Sequence, residues 1–130
     1  MAASAWADGR IETMFIESGD EAIPSRAVRV WLPPGYNEGS TRYPVIYFHD
    51  GQNVFRPGGP FGCWFSEDAA AEEMKAGRMR EAIMVAIPNN EADMGKARIT
   101  EYQPPTDVNP RDPERERGFA IAMRSFCSGK

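Results

Sequence analysis

Five consecutive residues, His49, Asp50, Gly51, Gln52 and Asn53, combine polar side chains with a glycine directly after the apolar run Val45, Ile46, Tyr47 and Phe48. The run is continuous rather than alternating, which suits a strand covered on both faces. A strand that breaks into a glycine-containing turn presents backbone N–H groups at its carboxyl end, where small ligands sit in an open α/β sheet. The plainer reading is an ordinary turn closing a strand. A metal site on His49 and Asp50 is disfavoured, because adjacent side chains of a strand point to opposite faces. Asp68, Glu72 and Glu73 share one short helix and read as a solvated face rather than an acid/base pair. Neither a metal nor a cofactor is therefore assigned.

The elements that must position this turn can be read along the chain. Residues 11–17 and 27–32 read as strands, the second with Val28, Val30 and Leu32 alternating against Arg29 and Trp31. The turn-rich stretch 18–25 between them predicts an antiparallel pair. After Pro33, Pro34 and Gly35 comes the 44–48 strand, then a glycine- and proline-rich loop over 51–62 of the kind that carries function. Ser66 reads as an N-cap, with Glu67 and Asp68 in a first turn that complements the helix dipole and Gly77 as the stop. Ala70, Ala71 and Met74 form the apolar stripe of that helix. Residues 83–87 are a second continuous apolar strand, so strand, helix and strand make a right-handed βαβ unit with parallel strands. Residues 89–96 read as loop, and Trp64 and Phe65 as packing the loop onto the sheet, with lining of an acyl pocket as the alternative.

Composition narrows the function classes. With 42% hydrophobic and 26% charged residues and a net charge of −4, the chain has the balance of a globular domain and no electrostatic case for nucleic acid. No run approaches the roughly 20 apolar residues a membrane span requires. The two cysteines, Cys63 and Cys127, read as free thiols. Ala5, Trp6 and Ala7 before Asp8 have the form of a signal-peptidase site, but the charged and apolar regions of a signal peptide are missing. The chain as written thus reads as cytoplasmic, with a periplasmic or secreted location if Met1 lies inside a signal peptide.

Several motifs in order carry a family resemblance. Val30-Trp31-Leu32-Pro33-Pro34-Gly35-Tyr36, then Tyr43 through Asn53 continuing into Phe55-Arg56-Pro57, then Ile87-Pro88-Asn89-Asn90, and finally Arg98-Ile99-Thr100-Glu101-Tyr102-Gln103-Pro104 are similar to successive elements of the Putative esterase family. This is the esterase D and enterochelin-esterase-like branch of the α/β-hydrolases. The resemblance spans roughly residues 27–104 and implies hydrolysis of a carboxylic ester by a serine nucleophile.

An α/β-hydrolase needs a Gly-x-Ser-x-Gly elbow followed by an acid and a histidine. None of the seven serines has a glycine two residues away on both sides, and His49 lies where the family's oxyanion strand ends rather than at its catalytic histidine. Nucleophile and catalytic histidine are thus absent. What the resemblance leaves is the oxyanion side, with the backbone N–H of Gln52 as one donor and Gly51 allowing the close turn. Domains of this architecture commonly exceed about 200 residues. The expected fold is therefore α/β, the amino-terminal part of an α/β-hydrolase sheet and incomplete: an antiparallel strand pair followed by a parallel βαβ unit. It comprises a flexible leader over 1–10, the partial domain over 11–104, and a proline- and charge-rich segment with an atypical tail over 105–130. The chain alone is expected to be inactive, and an unpaired sheet edge gives it a route to self-association. A non-catalytic module binding a small ligand, glycan or partner, and a fragment of an acyltransferase of the same fold, stay open as alternatives.

Overall fold

The structure, a computed structural model, describes residues 9–21, 23–36 and 39–102. Most of the proposed leader, the Gln103-Pro104 end of the last motif, the segment from 105 onward and Cys127 lie outside the described residues.

Four strands form one mixed sheet. They are β1 (Arg10–Ile16), β2 (Arg26–Leu32), β3 (Val45–Phe48) and β4 (Ile83–Ala86), in the order β1-β2-β4-β3. Strand β3 runs parallel to β4 with Ile46 beside Met84 and Phe48 beside Ala86, while β2 runs antiparallel to β4 with Trp31 beside Met84 and Arg29 beside Ala86. Helix α1 (Ser66–Lys75) lies between β3 and β4 in the chain, so the expected βαβ unit is present. The carboxyl ends of β3 and β4 thus meet the Arg29 end of β2.

Side-chain alternation explains the core. Trp31, Met84 and Ala86 share one face of the sheet and cluster with Ala70 and Met74 of α1 and with Val54, Phe55 and Ala82. Ala70 and Met74, together with Glu67, are the buried residues of α1, spaced three and four apart as one helical stripe requires. Trp31 corrects the sequence reading, which set it on the polar side of β2. Val28 and Leu32, on the opposite face of β2 from Trp31, are buried as well, so a simple alternation of inside and outside does not apply.

Two local details also differ from expectation. The N-cap of α1 is Phe65, in the left-handed region at φ 53°, not Ser66, whose N–H donates to the carbonyl of Val54. Residues 92–95 form a short 3-10 turn, kinked at Asp93 and Met94, that leads into helix α2 (Lys96–Tyr102), so only the first part of the expected loop is irregular. At the other end of α1 Gly77 adopts a positive φ of 73°, as its reading as a helix stop requires.

The described residues fall into two compact units, with the chain passing between them at 14/15, 26/27 and 88/89, the first unit holding residues 27–88. In the second, the guanidinium of Arg26 forks onto the carboxylate of Glu101 in α2, with contacts of 2.6 and 3.3 Å, and Glu101 also accepts the Asn90 N–H at 3.2 Å. Both side chains of this pair are buried.

Candidate active site

Residues 49–53 leave β3 as the sequence predicts, but the turn is built differently. Asp50 takes the left-handed conformation, φ 55° and ψ 44°, a region that aspartate and asparagine tolerate better than most side chains. Gly51–Asn53 then form one 3-10 turn in which Asn53 N–H donates to Asp50 and Val54 N–H to Gly51. Gly51 is glycine for a reason other than a positive φ. Its N–H donates to the Ile87 carbonyl at 2.8 Å, and a Cβ there would fall 2.6 Å from the backbone of Ala86 and Ile87. The turn is thus pressed directly onto the end of β4.

Four further groups hold it. The Asn53 carbonyl accepts the Trp64 N–H at 2.7 Å, while its side-chain amide donates to the Gly62 carbonyl at 2.9 Å. Gly59 and Gly62 exchange backbone hydrogen bonds with each other, closing a small hairpin whose tip is Phe61, 89% exposed. Gly59 packs so closely on Gln52 that a Cβ would lie 2.8 Å from the Gln52 Cβ. Glu67 is buried rather than facing solvent at the helix start, and its Oε1 accepts the Arg56 N–H at 2.8 Å.

The residue that sequence reasoning missed is Arg29. From β2 its guanidinium donates to the carbonyls of Gly51, Gln52, Phe55, Arg56 and Pro57 at 3.0 to 3.5 Å. It also lies over the Phe55 ring, 5.7 Å from the centroid. Strand periodicity placed it on the solvent side, and no local signal marks a cation that gathers carbonyls contributed more than twenty positions later.

Other candidates fall elsewhere. His49 is exposed, while Asp68 and Glu72 face solvent on α1. Glu73 pairs with Arg78, whose hydrogen bond holds its carboxyl below the ordinary glutamate range. Trp64 is 56% exposed and Phe65 also lies at the surface, against the expectation that they pack the loop onto the sheet; Phe55 and Trp31 do that packing. Phe65 instead stacks under the Arg56 guanidinium at 5.0 Å, and Arg56 pairs with Asp68. Among the described residues no three His, Cys, Asp or Glu side chains are grouped to hold a metal ion, and no helix is long and apolar enough to cross a membrane.

The family described as Putative esterase matches residues 23–117, a range that takes in β2, the glycine turn, α1, β4 and α2. The chain belongs to that family. No curated protein and no solved structure matches it. Family membership and the parallel β3-α1-β4 unit agree with the α/β class expected from the motifs, and in this esterase-family chain the polar turn of residues 49–53 stands at the carboxyl end of β3.

Proposed function

We propose that this segment serves ester hydrolysis by a serine nucleophile, and that residues 50–53 supply its oxyanion side. In that reaction the serine oxygen attacks the carbonyl carbon, the carbonyl oxygen gains negative charge, and donors already aimed at it stabilise the tetrahedral state, each worth on the order of 3 kcal/mol. The Gln52 backbone N–H is proposed as one donor and the residue after the nucleophile as source of the other. The observation that carries the reading is the contact of Gly51 with the Ala86–Ile87 backbone, because a turn fixed against the sheet end has little reorganisation left to undergo as charge develops.

The 130 residues contain no Gly-x-Ser-x-Gly, and their one histidine is His49. The purified chain is therefore expected to turn over p-nitrophenyl butyrate no faster than an equal mass of serum albumin. Turnover abolished by a fluorophosphonate would show that the chain holds an activated serine and would overturn the expectation that it supplies the oxyanion side alone.

The exposed Phe61 and Trp64 beside the turn favour one second reading, a loop that binds a small ligand, glycan or partner without chemistry. Saturable calorimetric binding lost in Phe61→Ala, with no turnover of p-nitrophenyl butyrate by the parent, would support it over hydrolysis. Self-association is proposed through β3, the last strand in the sheet order, where Val45 and Tyr47 are exposed. Sedimentation should then show a concentration-dependent species that Val45→Lys suppresses.

A further inference from the structure

We infer that Arg29 is a positioning residue that fixes the direction of the Gln52 N–H; the inference rests on the oxyanion reading only for its functional meaning. In a trans peptide the C=O of one residue and the N–H of the next point in opposite directions. The sole cis bond among the described residues is Arg56-Pro57, so the Gly51-Gln52 peptide is trans. Its carbonyl is held by the Arg29 Nη2 at 3.1 Å. The Gln52 N–H of the same peptide plane therefore points away from the guanidinium, and turning it round would take the Gly51 carbonyl off Arg29.

The lock is reinforced from both sides. Gly51 N–H is held by Ile87 O and the Gly51 carbonyl also accepts Val54 N–H, so neighbouring peptide units resist the same rotation. The other carbonyls on Arg29, those of Gln52, Phe55, Arg56 and Pro57, bring the chain after the turn to the same cation. A planar fork with five donors can serve several carbonyls at once, whereas an ammonium is a point charge on a flexible stem. A cation on the carbonyl side also polarises the peptide, which makes its N–H a stronger donor toward an anion.

The test is nuclear magnetic resonance on the intact chain. In the parent, a scalar coupling across the hydrogen bond should link the Arg29 guanidinium nitrogen to the Gly51 carbonyl carbon. In Arg29→Met, and to a lesser degree in Arg29→Lys, the Gln52 N–H dipolar coupling should shift or average while those of Tyr47 and Phe48 in β3 stay as in the parent. Val54 N–H, bonded to the Gly51 carbonyl, should exchange with solvent roughly tenfold faster or more in Arg29→Met. Absence of the cross-bond coupling in the parent overturns the inference whether or not the variants fold. An unchanged Gln52 coupling in either folded variant overturns it too. None of these measurements reads anion binding. If Arg29 fixes the peptide but a complete family member with the Gly51→Val change keeps its kcat, the oxyanion reading fails and Arg29 stands as the lock of the turn.

Discussion

Replacing Gly51 with valine should loosen the whole carboxyl end of the sheet. Overpacking in cores where side chains can yield costs about 1 to 3 kcal/mol. At Gly51 the atoms in the way are the backbone of Ala86 and Ile87, 2.6 Å from the new Cβ, so the cost should reach about 3 kcal/mol or more. For a chain of this size that corresponds to a melting temperature lowered by about 10 °C or more. Gly51→Ala should share most of the loss, because Cβ itself is the clashing atom. Gln52→Ala should be mild, since Gln52 is only partly buried and the substitution keeps its backbone N–H. In a family member that carries this segment and a complete triad, Gly51→Val should lower kcat about a hundredfold with little change in KM, as expected when a donor that acts in the transition state is misaimed. A Gly51→Ala protein that melts with the parent would show that the turn does not press on β4.

The second large effect is expected at the Arg26–Glu101 pair. Their side chains are 6% and 0% exposed, so removing one partner strands a buried charge. Arg26→Met should cost about 3 to 5 kcal/mol, read as a lower urea midpoint by circular dichroism. Arg26→Lys should recover only part of it, because an ammonium cannot reproduce the two-pronged contact. The decisive comparison is the double variant Arg26→Met/Glu101→Met, which should be more stable than Arg26→Met alone, since no unpaired charge remains. If Arg26→Met lies within about 1 kcal/mol of the parent, the pair is not buried as described.

Much of this organisation is legible in the residues themselves. The apolar runs Val45 to Phe48 and Ile83 to Ala86 marked the parallel strands and Gly77 the end of α1, but β3 is covered on one face and not on both as its continuous run suggests, since Val45 and Tyr47 are exposed. The succession of short motifs, each weak alone, pointed to the esterase family. What escaped depends on strand order and distant partners. Trp31 and Arg29 share one sheet face yet have opposite fates, one under α1 and the other beneath the glycine turn. Nothing in a period of two distinguishes them. Glu67 stands in the first turn of α1 as its type suggests, but its burial follows from the chain folding back so that the Arg56 N–H meets it. Gly51 was recognised as necessary, but the need comes from the approach of β4, more than thirty residues on, and the positive φ of the turn falls on Asp50.

The sheet order carries a consequence for how the chain acquires its structure. Strand β4 is the last of the four to be synthesised, yet it lies between β2 and β3, which are not neighbours in the sheet. Until residues 83–86 emerge, β2 and β3 each offer an apolar strand edge across a slot one strand wide, and α1 has no finished surface to settle on. Closing that slot requires Trp31 to meet Met84, a contact between segments far apart in sequence, and such contacts repay their loop-closure entropy only once they are made. Folding of this segment should therefore be slow for its size and governed by one late insertion, during which the waiting edges are open to pairing with other chains.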